Sequence, residues 1–234
     1  MTWASVDDMK NAVSEIVSNG RKVCYASCCS DLQTQEQHRQ HNLHQQLNSY
    51  RLEAIASQNE EVANAAFLMQ EIVSCLLHSL QMWLLIKNEE MTDAWNELVE
   101  AQDSLQLVLR FIQTEEIQDW YMRLLALEKL LFPPQQFVSI SHSFGRAQCN
   151  ICMAVYGDCD HVAGQLYMGQ LCVKQLRDCG PMRHIAIVDS PRDKGCRWTE
   201  IKLDGFTQCT LTLRLRACAD GEQPNFRGCV LRSR

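Results

Sequence analysis

Between residues 149 and 172 the chain collects five side chains able to bind a soft metal ion: Cys149, Cys152, Cys159, His161 and Cys172. Cys149-Asn150-Ile151-Cys152 is a C-x2-C pair, a spacing that lets two thiolates from one tight turn reach a single ion. Two further Cys or His donors complete the tetrahedron that zinc prefers, and a mostly sulfur shell favours zinc over magnesium or calcium. The reading takes Cys149, Cys152, His161 and Cys172 as the zinc ligands. Cys159, two residues before His161, is the alternate. In that arrangement a hairpin follows the knuckle, and Cys172 leads a short helix over Val173 to Asp178. A closed shell of four protein ligands leaves no position for a reacting water, so the zinc is expected to be structural.

Within residues 145–200 the pattern resembles a module of uncharacterised bacterial and phage-related proteins. Cys149-Asn150-Ile151-Cys152 is followed by Cys159-Asp160-His161, then Gly164, Tyr167, Gly169 and Cys172. The similarity continues into His184-Ile185-Ala186-Ile187-Val188 and Asp189-Ser190-Pro191, where the resemblance implies a strand and a proline-containing turn. It implies a zinc module and carries no activity.

The elements around this segment divide the chain. Residues 1–144 hold 9 Lys and Arg against 19 Asp and Glu, whereas residues 145–234 hold 13 against 9. Nine of the 13 cysteines also fall in the second stretch. The first stretch carries helical periodicity. Ser5 is a possible N-cap and Asn19-Gly20 a stop. Leu43, Leu47, Tyr50 and Ala54 form a narrow stripe on a polar helix. A broad apolar face from Val62 to Leu84 predicts the central helix of a bundle. Gln70, Glu71, His78 and Gln81 lie within that run, which argues against a bilayer span. Thr92 or Asp93 is expected to cap the next helix, and Thr114-Glu115-Glu116 to open a further one. Phe132-Pro133-Pro134 ends the helical period. Residues 135–146 read as a linker or short extended segment. Strands are expected over Arg183–Val188, Trp198–Leu203, Thr210–Arg216 and, at an edge, Gly228–Leu231. The fold class is therefore α+β: an α-helical bundle over 1–134 and a zinc-stabilised α+β domain with antiparallel strands over 135–234.

Weaker constellations accompany the main one. Glu200 and Lys202, with Asp189 or Asp193 upstream, match the D…E-x-K arrangement of Mg2+-dependent nucleases, although E-x-K is common on solvated strands. His38, His41 and His44 recur every three residues; each step rotates about 60° around a helix, which spreads them over a solvated face. Cys24, Cys28 and Cys29 read as packing residues, with a thiol cluster as the alternative. Arg214, Arg216 and Arg227 give the basic half a possible nucleic-acid face, without the interleaved aromatics that stack on bases. No P-loop, dinucleotide-binding, metalloprotease or serine-hydrolase motif occurs.

With no basic, apolar leader at residues 1–8 and a cysteine-rich composition, a cytoplasmic protein with reduced thiols and no membrane association is expected. The functional expectation is a non-enzymatic, zinc-binding adaptor or assembly protein. Its helical half would bind a protein partner or a second copy. Nucleic-acid binding and a Mg2+-dependent nuclease are the alternatives.

Overall fold

The computed structural model describes all residues except 1, 2, 4, 178, 204, 218–225 and 228–234, with the side chains of 142, 179, 182, 226 and 227 also left undescribed. Among the described residues, five helices precede eleven strands, an α+β chain. Its contacts fall into two compact units. The first runs through Glu128 and includes Leu166–Gln170; the second comprises Lys129–Gln165 and the chain from Leu171 onward.

In the first unit, α1 (Val6–Arg21) begins where the Ser5 hydroxyl accepts from the Asp8 amide at 3.1 Å. Gly20 does not stop this helix. It is buried within the last turn, where a Cβ would meet Leu76 Cδ2 at 2.6 Å and Glu36 Oε1 at 2.8 Å. The connection from Val23 to Cys29 is held by polar groups. The Gln33 amide donates to the Val23 and Tyr25 carbonyls, and the Lys87 ammonium to the Cys28 carbonyl and Gln33 Oε1. Those bonds explain why Gln33, at the start of a polar helix, is fully buried.

Helix α2 (Ser30–Ala56) buries Leu43, Leu47 and Ala54 as its stripe requires, together with Glu36 and Gln40. Helix α3 (Glu60–Lys87) is long and apolar enough to cross a membrane, and here 56% of its most apolar window is buried inside the protein. It packs along α1, α2 and α4 (Met91–Leu109). The expected caps Thr92 and Asp93 lie inside α4, whose N-cap position is Glu90, without a side-chain cap bond. Helix α5 (Glu115–Leu131) starts after Thr114, whose hydroxyl accepts from Ile117 N at 3.4 Å. Buried Gln102 ties it to α4 by donating to the Leu124 carbonyl and Glu128 Oε2.

The second unit is built from small antiparallel sheets. Residues 137–144 form β1 (Phe137–Phe144), so the segment read as a linker or short extended stretch contains an eight-residue strand. After β2 (Ala147–Cys149), the two-residue strand β3 (Leu166–Tyr167) lies in the stretch that belongs to the first unit, and β4 (Gln170–Leu171) spans the return to the second. Val173 to Asp178 is not a helix: β5 (Lys174–Leu176) pairs with β2, matching Cys149 to Lys174. Asp178 lies outside the described residues. The expected strand at Arg183–Val188 is present and longer, as β6 (Cys179–Val188), and pairs with β1.

Trp198–Leu203 divides at Thr199 into β7 (Arg197–Trp198) and β8 (Glu200–Leu203). Thr210–Arg216 is not one strand, despite its alternation. After β9 (Phe206–Cys209) the chain turns, with Leu213 at φ 57° and its amide bonded to the Cys209 carbonyl, before β10 (Leu215–Ala217). The Thr210 hydroxyl, which donates to the Trp198 carbonyl, and buried Leu211 hold the turn inward. β11 (Phe226–Arg227) joins β7, giving the order β11-β7-β1-β6 beside a β10-β9-β8 sheet. The edge strand expected at Gly228–Leu231 lies outside the described residues.

Candidate metal centre

The thiol-rich segment is shaped first by its backbone. Cys149 closes β2, and its amide donates to the Ala154 carbonyl while the Met153 amide returns to the Cys149 carbonyl, each at 2.9 Å. Met153 takes φ 62°, so the chain reverses directly after Cys152. Tyr156 then steadies the next loop: its hydroxyl accepts from Ala163 N at 2.9 Å, and Lys174 Nζ sits 4.3 Å over its ring. The donor atoms of Cys149, Cys152, Cys159 and His161 all lie within 4.8 Å of one another. Among the described residues, this is the group of Cys, His, Asp and Glu gathered closely enough to hold a metal ion.

Cys172 and Cys159 occupy different places relative to that group. Cys159, the alternate in the sequence reading, stands inside it. Cys172 is fully buried with its Sγ 3.9 Å from that of Cys149. Its backbone is pinned twice, Gly164 N donating to the Cys172 carbonyl and Cys172 N to the Gln165 carbonyl, both at 2.8 Å. Gly164 has φ 90°, a conformation that favours glycine at this reversal.

Asn150, inside the C-x2-C, clamps both sides of Cys172. Its Nδ2 donates to the Leu171 carbonyl at 2.9 Å, and its Oδ1 accepts from Val173 N at 2.7 Å. Asn150 carries no expectation from its residue type; its place between two clustered cysteines is the available signal.

The electrostatics favour one thiolate in the absence of a cation. Burial opposes ionisation of Cys149. Donation from the Cys152 and Ile151 amides and from the Cys152 and Cys172 thiols outweighs it, lowering the pKa to about 6. Cys172 is pushed up to about 11, by burial and then by its bond to Cys149 and the charges of Cys149, Cys159 and Cys152. At Cys159 the His161 amide favours the thiolate, but burial and the Cys152 and Cys149 thiols raise the pKa overall. A bound cation reverses this restraint, because its charge deprotonates coordinating thiols.

The other constellations fall elsewhere. Glu200 pairs with the Arg216 guanidinium, whose Nη2 lies 3.1 Å from both carboxylate oxygens. Asp193 accepts from the Gly195 amide at 2.7 Å. Neither they nor Asp189 and Lys202 belong to a metal-binding group among the described residues. Arg214 and Arg216 are exposed; the Arg227 side chain lies outside the described residues. Cys24 is pushed up to about 12, chiefly by burial, which marks a protonated packing residue. Cys218 and Cys229 lie outside the described residues.

No protein family, curated protein or solved structure was found to match this chain.

Proposed function

We infer that the protein is a cytoplasmic, non-enzymatic zinc-binding adaptor or assembly protein, in which zinc organises the second unit and the helical unit engages a protein partner or a second copy. The observation that carries this reading is the convergence of Cys149, Cys152, Cys159 and His161 within 4.8 Å, with Cys172 beside Cys149. Three thiolates and an imidazole suit zinc, and their number completes a tetrahedron without a water. Of the three late donors left open by the sequence, Cys159 and His161 complete the shell in this reading, and Cys172 packs against Cys149.

Further support comes from the ten described cysteines, all free thiols, as a reducing compartment would keep them. Leu32 and Leu52 on α2 and Met122 on α5 are more than half exposed and supply apolar anchors for a partner. The nucleic-acid and nuclease alternatives have less behind them, since Arg216 and Glu200 satisfy each other.

Metal analysis of the full chain tests the reading. One tightly held zinc per chain, lost in Cys149→Ser, is the expected result; a chain that takes up no zinc at neutral pH overturns it. Binding to DNA or RNA that falls steeply with salt would transfer the conclusion to the nucleic-acid alternative. Mg2+-dependent cleavage abolished by Glu200→Gln would transfer it to the nuclease.

A further inference from the structure

Four of the seven histidines in the chain are His38, His41, His44 and His78, and the helical unit brings them to one neighbourhood. His38 and His41 on α2, His78 on α3 and Glu97 on α4 line a single groove, with the Gln37–Gln81 hydrogen bond of 2.6 Å beside them. His44 sits one turn further along α2, where burial first, then the charges of His41, Arg51 and His78, lowers its pKa. The sequence spacing spreads these α2 histidines around the helix. The fold supplies what the spacing lacks, an imidazole and a carboxylate from two other helices.

The pairing of His78 with Glu97 gives the groove its chemistry. His78 Nδ1 and Glu97 Oε2 are 2.6 Å apart. An ionised carboxylate only accepts, so Nδ1 is the donor in this pair, and a metal ion entering the groove would take the Nε2 lone pair on the opposite side of the ring. A histidine held this way by a carboxylate is the arrangement that orients imidazole ligands at metal sites. His38 and His41, at i and i+3, are neighbours on the helix surface, and inward-projecting side chains at that spacing bind metals between helices of bundles.

We propose that His38, His41 and His78 form a second metal site, for a divalent transition ion such as Ni2+ or Zn2+, with Glu97 as the positioning residue of His78. The thiolate cluster has its donors gathered within 4.8 Å, whereas those of this groove stand further apart, so metal uptake requires ring rotation. His38 and His41 are exposed, so solvent, not packed neighbours, surrounds their rings. The exposed Gln45 amide, now 2.9 Å from His41 Nε2, leaves that nitrogen as the ion enters. The groove therefore binds more weakly than the cysteine cluster, and imidazole donors select nickel, copper or zinc over magnesium and calcium.

Titration calorimetry on the full chain preloaded with one equivalent of Zn2+, which the tighter cysteine cluster takes, using Ni2+ as the probe, tests this site. The expected result is a Ni2+-binding phase of one ion per chain that disappears in His38→Ala/His41→Ala and in His78→Ala, and weakens about tenfold in Glu97→Gln. The exposed His38/His41 pair keeps the test independent of folding defects at His78. Repeating the titration on Cys149→Ser/Cys152→Ser separates the two sites, because the histidine phase persists there whether or not the cysteines hold zinc. No Ni2+ phase in the wild-type chain, or an unchanged phase in the double histidine variant, overturns the proposal.

Discussion

The two units bury different things. The helical unit encloses Leu47, Leu76, Leu80, Met82, Trp95, Leu98 and Leu105, each less than 2% exposed. In the second unit, the buried side chains among the described residues include Arg197, Thr207, Thr210, Cys149 and Cys172, with few large apolar groups beyond Phe132, Phe137, Val138 and Leu211. Arg197 Nη1 donates to Thr210 Oγ1, the Trp198 carbonyl and Gln135 Oε1. Apolar burial is non-directional and sums over a long helix face. A small sheet with a polar interior gains less from it and needs cross-links, which disulfides or metal supply in small domains. Cysteine chemistry follows the same division: Cys75 is raised far above its ordinary range by burial among helices, while Cys149 is held down to about 6.

Removing the cross-link separates the units most clearly. Cys149→Ser/Cys152→Ser is expected to abolish cooperative unfolding of the second unit while the helical unit keeps its far-ultraviolet helical signal and its transition. Equal loss in both units would show that they share one source of stability. The reciprocal change, Leu80→Ala, deletes a fully buried side chain at a cost of about 2–5 kcal/mol, read by denaturant titration of helicity, with zinc retained. Gly20→Ala is smaller. Overpacking against Leu76 and Glu36 costs about 1–3 kcal/mol, partly offset by about 0.5–1 kcal/mol of helix propensity. Ser5→Ala, losing the exposed α1 cap, costs about 1 kcal/mol on the same titration.

Acid gives a finer contrast. His44 has a folded-state pKa below its ordinary 6.5, so the unfolded chain binds more protons in the interval beneath 6.5. Its contribution is complete above that value and declines as pH falls through it. A His44→Gln variant is expected to show a shallower loss of helical-unit stability between neutral pH and the mild acid range. Parallel curves for the two proteins would remove His44 from the account.

Legibility in the sequence also differs between the units. The helices were readable because Val62 to Leu84 repeat at helical spacing and Phe132-Pro133-Pro134 cannot continue a helix. Asn19-Gly20 marks the end of α1 to within a residue, but the close approach of Leu76 and Glu36 to Gly20 has no signal in the sequence, because a stop and a close approach use the same residue. In the second unit, alternation over Thr210–Arg216 looked like one strand; the turn there comes from tertiary bonds of Thr210 to Trp198 and Thr199. Val173–Asp178 was read as a helix, and pairing of Lys174–Leu176 with β2 prevails over local propensity. The five metal donors were visible as residue types at metal-ligand spacing. Cys149, Cys152 and His161 gather as their spacing suggests; that Cys159 and not Cys172 joins them has no signal in the sequence, because the reversal at Met153 has no periodic signature.

The most direct test is hydrogen exchange on the full chain with native mass measurement, before and after treatment with a strong zinc chelator. The account predicts that one zinc ion leaves and that amides of residues 147–176 lose protection, while α1 to α4 exchange as before. No bound metal, or unchanged protection across 147–176 after its removal, would contradict it.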